Sequence, residues 1–317
     1  MHTMHPHLWG ILLAGGDGQR LRPLIQARFG CERPKQYCTF FGTQSLLRQT
    51  IRRAERLVPP EQLLTVVTRH HLPYAQVELS DRPSDTVIVQ PSNRDTGPGI
   101  LLPLWHVQQR DPQAIMALFP SDHFVLGEQR FMALVAAAAA FVTREPDRMV
   151  LLGAAPTQPE VDYGWIEVGD EVGQVQEERL YQVLQFWEKP SPSQAQVLWR
   201  QGYLWNTMVL VGRAGLLMTL FAMLTPTLVD AFRRLQGVLG TPREADVLAE
   251  VYATLPSVNF SQVILEHSAA RLAVLPLEGV YWSDWGDPRR LLLDLARLGY
   301  QVPAPREQRA ARYTTTA

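Results

Sequence analysis

Residues 9–24 read WGILLAGGDGQRLRPL, an apolar run that breaks into glycines and then into a cationic segment. Residues 9–14 have the continuous apolar character of a strand buried on both faces, and Gly15, Gly16 and Gly18 mark a tight turn directly after it. Glycines let backbone N–H groups approach phosphate oxygens closely, and Arg20 adds a forked cation able to pair with them. The dinucleotide fingerprint needs a third glycine where Leu21 stands, and the Gly-Lys-Ser/Thr ending of a P-loop is missing. By itself the segment fits either a phosphate-binding loop or a glycine-rich turn without a ligand.

Further strand-like runs at 63–68, 86–89, 114–119 and 149–153 alternate with amphipathic segments, which predicts a mostly parallel sheet covered by helices on both faces. Residues 45–57 form one intervening helix, with Ser45 as its cap and Leu46, Leu47, Ile51, Ala54 and Leu57 as its apolar face. Arg48, Arg52, Arg53 and Arg56 are then expected to lie largely towards water. The run MALVAAAAAFV at 132–142 is too short to span a bilayer and reads as a buried helix. Beyond Pro156 the rhythm changes, with strands expected at 163–169, 183–188, 204–212 and 271–277 and helices at 214–224, 243–252 and from about 288 to 298. One domain over 1–300, with halves at 1–155 and 156–300 sharing a cleft, is followed by a loose tail at 301–317.

Composition narrows the partners. A chain of 317 residues that is 46% hydrophobic can bury a large core, and a formal charge of −1 gives no general attraction to polyanions, so nucleic acid is not expected as a partner. No membrane association is expected either. Two cysteines, Cys31 and Cys38, are too few for a disulfide framework and lack zinc-site spacing, and the N-terminus has no basic region or cleavage site of a secretory signal, so the expected compartment is the cytoplasm. His2, His5 and His7 could chelate a metal weakly, although a loose terminus is the plainer reading.

After the glycine turn come RPKQY at 33–37, PSNRDTGPG at 91–99, FPSDH at 119–123, YGWIE at 163–167, FWEKP at 186–190, LWNTMV at 204–209 and YWSDWGD at 281–287. This ordered series resembles the sugar-phosphate nucleotidyltransferases, and PKQ, PSDH, EKP and WSDxG look most like the bacterial mannose-1-phosphate guanylyltransferases. The resemblance implies a three-layer α/β/α Rossmann-like nucleotidyltransferase fold, a mostly parallel mixed sheet with an inserted β/α sugar-binding region. It also implies transfer of a nucleotidyl group from a nucleoside triphosphate, GTP, to a sugar 1-phosphate, mannose 1-phosphate, with a nucleotide-sugar and pyrophosphate as products. The first half would then serve the nucleotide and the second the sugar phosphate.

Such a transfer brings two anions together, so charge neutralisation is the main task. A phosphate monoester is already largely ionised near neutral pH, with a second pKa of about 6, and needs no general base. Asp122, at the carboxyl edge of the strand at 114–119, and Asp284 are the expected Mg²⁺ ligands. A helix N-cap before Phe124 and a turn carboxylate beside Gly286 are their structural alternatives, and His123 is expected to pack or hydrogen-bond. The resemblance assigns Arg20 and Lys35 to the triphosphate and Lys189 to the sugar phosphate. By the same analogy the nucleotide meets Leu13, Ala14, Gly15, Gly16 and Gly18 through main chain, and Gln90, Asn93, Arg94, Asp95 and Thr96 after the third strand. The sugar would meet Gly164, Glu188 and Asn206; Trp165, Trp187, Trp205 and Trp282 either floor its pocket or pack the core.

The chain departs from the commonest family forms in places. Relatives often carry Asn-Ser-Gly-Met where residues 206–209 read NTMV, and Ser261 stands where an aspartate is usual. The metal carboxylates are untouched by these changes. Uridine or thymidine triphosphate with glucose 1-phosphate, a non-catalytic nucleotide-sugar sensor, and a redox dinucleotide enzyme are the competing readings; a homodimer is left open.

Overall fold

The computed structural model describes residues 5–300. Its strands are β1 (Leu8–Leu13), β2 (Leu63–Thr68), β3 (Val87–Gln90), β4 (Ile115–Pro120), β5 (Phe124–Leu126), β6 (Met149–Ala154), β7 (Gly164–Val175), β8 (Glu178–Glu188), β9 (Leu204–Arg213), β10 (Leu272–Pro276) and β11 (Tyr281–Ser283). The helices are α1 (Arg22–Phe29), α2 (Leu46–Ala54), α3 (Leu72–Glu78), α4 (Thr96–Arg110), α5 (Glu128–Arg144), α6 (Pro192–Arg200), α7 (Ala214–Leu224), α8 (Pro226–Arg233), α9 (Glu244–Thr254) and α10 (Pro288–Arg297).

A mixed sheet runs in the order β3-β2-β1-β4-β9-β6-β10-β8-β7. β3, β2, β1 and β4 are mutually parallel, as are β6 and β10, while β9 runs antiparallel to both β4 and β6. The two halves of the chain are therefore interleaved: β9, from the second half, lies between β4 and β6 from the first. The 301–317 tail and His2 lie outside the described residues.

Alternation along β1 divides the core into two layers. Leu8 and Leu12 face the cluster that holds Leu47 and Ile51 of α2 and the apolar side of α5, whereas Trp9 and Ile11 face Ile100, Leu104 and Val107 of α4 and Phe221 of α7. Buried on both sides, β1, β2, β4 and β6 have no need of polar alternation, which is why they read as unbroken apolar runs. The alanine-rich run sits in α5, where small side chains pack closely on the sheet. Ser45 caps α2 as expected, its hydroxyl accepting from the Arg48 amide at 3.2 Å.

One expectation for α2 is corrected. Arg53 is not towards water; it is 4% exposed, donates to Thr50 Oγ1 at 2.9 Å and lies over the Phe131 ring at 5.5 Å. The α2 surface meets α5 on that side, so a second neighbour buries a cationic side chain that the hydrophobic pattern alone leaves on the polar face. The hairpin β7–β8 also extends further than expected, and the short ribbon of β5 with β11 was not anticipated because strands of three residues carry no measurable period. Among the described residues no single helix is long and apolar enough to cross a membrane.

Gly153 marks the register shift where β6 meets β9. A Cβ there would stand 2.7 Å from Leu204 Cδ1 and 2.9 Å from Val274 Cγ2, inside the sheet core. Gly153→Ala is expected to destabilise the fold by about 1–3 kcal/mol through overpacking. A urea midpoint equal to that of the parent protein would contradict this packing.

Candidate functional site

The carboxyl ends of β1, β2, β3 and β4 all open on one edge of the sheet, and the glycine turn leaves β1 there. The turn is held by Gln36, whose side-chain amide donates to the carbonyls of Ala14 at 2.8 Å and Gly16 at 2.9 Å. Gly18 takes φ 59°, and a Cβ on it would lie 3.0 Å from Lys35 Cβ, so glycine is needed there both for backbone angle and for closeness. Leu13, Gly15 and Gly16 line a pocket of about 460 Å³ together with Gln90, Asn93, Asp95 and Thr96. Asp95 has φ 67° and caps α4 through Thr96 N at 2.6 Å, so it shapes the helix start as well as the pocket.

Arg94 is not a wall of that pocket. Its guanidinium turns away and donates to the Tyr252 carbonyl at 3.0 Å, tying the segment after β3 to α9. Ala14 contributes a fully buried side chain and a carbonyl already engaged by Gln36. Gln90 is fixed by the Tyr252 hydroxyl, which donates to Gln90 Oε1 at 2.9 Å.

Beside the pocket, Lys35 is 4% exposed, its ammonium 2.9 Å from Asp122 Oδ2 and hydrogen-bonded to the main-chain carbonyl of Asp284. Asp122 and Asp284 are thus held around one lysine. The β5–β11 ribbon makes this meeting: Trp282 pairs with Val125 and Ser283 with Phe124, so the turn after β4 and the turn after β11 come together. The N-cap alternative for Asp122 fails, because Phe124 begins a strand and not a helix. The turn alternative for Asp284 holds alongside any further role, since Asp284 Oδ1 accepts from Gly286 N at 2.9 Å.

Asp284 Oδ1 also accepts from the Tyr163 hydroxyl and from Arg290 at 2.6 Å. Arg290 in turn pairs with Glu160, and Arg20 pairs with Asp162 while standing 3.7 Å from Asp284 Oδ2. Among the described residues no hydrogen bond occupies Asp284 Oδ2. Burial pushes the Asp284 carboxyl above its ordinary value, against the pull of Lys35. Asp122 goes the other way: burial opposes ionisation, but Lys35 and His123 outweigh it and hold the carboxyl below its ordinary value. Burial drives His123 down to about 4, so it is neutral near pH 7 and accepts from Trp282 Nε1 at 3.2 Å. Two carboxylates of this kind are hard oxygen donors that suit a small divalent cation.

The residues assigned to the sugar form a second group. A Cβ on Gly164 would stand 3.1 Å from Glu188 Oε2 and 3.2 Å from Asn206 Cβ, which puts all three side by side. Burial pushes the Glu188 carboxyl up to about 7; Lys189 opposes this, and Glu266 and Asp95 add to it. The charge of Asp95, a wall of the glycine-turn pocket, therefore reaches Glu188. Lys189 is exposed, at φ 48° and 3.9 Å from Glu188 Oε1, free to reach an anion. Of the tryptophans, Trp165 is wholly buried and Trp187 stacks on Tyr203, whereas Trp205 and Trp282 line a second cavity of about 720 Å³ with Arg20, Tyr163 and Arg290.

The sequence departures at 206–209 and 261 meet in space. Met208 holds φ 59°, the left-handed region that favours glycine, and the Ser261 hydroxyl lies 3.1 Å from its sulfur. Tyr163, Glu160, Arg290 and Gln36 belong to the site and were given no role from the sequence. Tyr163 and Gln36 stand inside quoted motifs, which was a usable signal; Arg290 and Glu160 stand in none.

The profile described as Nucleotidyl transferase matches residues 9–297. The xanthan biosynthesis protein XanB of Xanthomonas campestris pv. campestris is 29% identical over 288 residues, which are 89% of this chain and 58% of that protein. A mannose-1-phosphate guanylyltransferase of Salmonella muenchen is 29% identical over 283 residues, 87% of this chain and 57% of that enzyme. This chain thus spans less than two thirds of the length of these curated relatives. Among solved structures, one described as a mannose-1-phosphate geranyltransferase from Thermus thermophilus superposes with a TM-score of 0.76 at 29% identity, covering 94% of this chain and 80% of that one. An inositol-1-phosphate CTP transferase from T. maritima, 13% identical with a TM-score of 0.54 over 93% of this chain and 98% of that one, shares the fold. With the glycine turn, the paired aspartates and their lysine all inside the matched span, this chain belongs to the nucleotidyl transferase family.

Proposed function

We propose that this chain transfers the guanylyl group of GTP to mannose 1-phosphate, giving GDP-mannose and pyrophosphate, with Mg²⁺ as cofactor, in the cytoplasm. The observation that carries this reading is the cluster around Lys35, in which one buried cation beside the glycine turn holds the Asp122 carboxylate and the main-chain carbonyl of Asp284, two residues from distant parts of the chain. The choice of substrates leans on the relatives described as mannose-1-phosphate guanylyltransferases. Two free cysteines, one exposed and one buried, suit a reducing compartment.

Asp122 and Asp284 would hold Mg²⁺, and their chemistry fits it: both offer carboxylate oxygens, and Asp284 Oδ2 is free of hydrogen bonds among the described residues. When bound, the ion would supply positive charge that offsets the negative charge of the reacting phosphates. Backbone amides of the glycine turn and Arg20 hold the triphosphate, while Lys189 and Glu188 with Asn206 orient the sugar phosphate. A sugar-phosphate oxygen then forms the new bond to the α-phosphorus as the bond to the β-phosphate oxygen breaks, and pyrophosphate leaves with that electron pair. Neutral His123 is not needed as a base, because the attacking oxygen is already ionised.

The contact of Met208 with Ser261, next to Asn206, favours a second reading in which the same chemistry serves another sugar, with UTP or dTTP and glucose 1-phosphate as the nearest pair. Pyrophosphate release measured over a grid of GTP, UTP and dTTP against mannose and glucose 1-phosphates decides between them. GTP with mannose 1-phosphate should give the highest kcat/KM. Ligand binding without turnover in every cell of the grid would leave a nucleotide-sugar sensor instead.

Asp122→Asn and Asp284→Asn should each lower kcat by about a hundredfold or more at saturating Mg²⁺, with an unchanged far-UV CD spectrum. Near-normal turnover in either variant removes that residue from the metal site. Glu188 accepts sugar hydroxyls best as the carboxylate, and its pKa is about 7. The KM for sugar phosphate should therefore rise about tenfold from about pH 8 to about pH 6 as Glu188 takes up its proton. In Glu188→Gln that dependence should shrink to the part due to ionisation of the substrate itself, and an unaltered profile would clear Glu188 of the role.

A further inference from the structure

Asp17 leaves the glycine turn between Gly16 and Gly18, and His70 and His71 sit in the short helical turn that follows β2 on the same edge of the sheet. His70 Nε2 lies 2.8 Å and His71 Nε2 lies 3.2 Å from the same oxygen, Asp17 Oδ1. The two rings are tilted by 59° with centroids 4.0 Å apart, so adjacent histidines converge on one carboxylate where they would ordinarily diverge. One ligand atom from each residue falls within 4.8 Å of the other two. His71 is rigidly seated, with its side chain 2% exposed, while His70 is open to solvent.

We propose that Asp17, His70 and His71 form a second metal site, one for a borderline divalent cation of the zinc, cobalt or nickel class. Two imidazole nitrogens and one carboxylate oxygen match the donor preference of those ions and not that of Mg²⁺, which takes oxygen ligands. Three protein ligands leave the remaining position to water or to an oxygen of a bound anion. Nothing in this set is shared with Asp122 and Asp284, which are engaged by Lys35, Arg290 and Tyr163. Each neutral ring would bind the ion through the lone pair of the nitrogen that faces Asp17 and keep its proton on the other ring nitrogen. Asp17 also lines the glycine-turn pocket, so the site borders that pocket.

A simple hydrogen-bonded clamp between the glycine turn and the β2 turn would show the same distances, and metal titration separates the two. The full chain with His2, His5 and His7 changed to Gln, which silences the other histidine-rich segment, is titrated with Co²⁺ in excess Mg²⁺ and followed by the visible d–d absorption. One equivalent should bind. In that background Asp17→Asn and His70→Gln, each at surface-accessible positions, should weaken Co²⁺ at least tenfold while the metal-free melting temperature stays near that of the parent. Absence of a stoichiometric spectral change would overturn the site, as would equal affinity in the parent and both variants.

Discussion

A lysine ammonium withdrawn from water has to be compensated by hydrogen bonds and opposite charge, and the arrangement around Lys35 is organised by that requirement. Its acceptors are the Asp122 carboxylate and main-chain carbonyls of the turn at 284–285, so one side chain fixes the positions of two loops that follow different strands. The next residue, Gln36, reaches in another direction and fastens the glycine turn by its carbonyls. A single short segment between α1 and α2 thereby sets both the acidic pair and the glycine turn. Taking away the cation would leave the partly buried Asp122 carboxylate without its charged partner, since burial keeps the adjacent His123 neutral near pH 7.

Support for the Asp122 turn comes from α2. Arg53 lies wholly inside, its pKa lowered to about 10 by burial and only partly restored by Glu128 at 4.0 Å. It donates to Thr50 and to the His123 carbonyl, and the Thr50 hydroxyl donates to the Ser121 carbonyl. The turn at 121–123 is thus gripped from beneath by a helix and from the side by Lys35. Asp284 has a matching frame in Tyr163, Arg290 and the Gly286 amide, so neither carboxylate depends on a ligand for its position. Preorganisation of this kind favours charge neutralisation at the moment of transfer, because little reorganisation remains to be done.

The group assigned to the sugar in the proposed reaction is built differently. Gly164, Asn206 and Glu188 come from three neighbouring strands, and the cross-strand pairing of Trp165 with Trp205 holds their spacing. Met208 keeps a left-handed backbone angle that costs a side chain roughly 1 kcal/mol or more, and that strain persists two residues from Asn206. The thioether contact with Ser261 brings together two positions that each differ from the common family form. Their proximity makes them one structural change beside Asn206, not two scattered ones.

Much of the fold was legible in the sequence because it rests on local and periodic signals. Doubly buried strands read as apolar runs, α7 matched its expected bounds, and 9–24 read as a strand running into a glycine turn. The resemblance located Asp122, Asp284 and Lys35 by motif, yet said nothing of their mutual contact. What only the tertiary structure decided are meetings between segments remote in the chain: Lys35 with the 284–285 turn, Arg53 with the 121–123 turn, Arg94 with α9, Met208 with Ser261, and Asp17 with two histidines after β2. Such contacts leave no period and no local propensity behind them, since they arise from how β9 and the β5–β11 ribbon are threaded into a sheet whose neighbours in space are not neighbours in sequence.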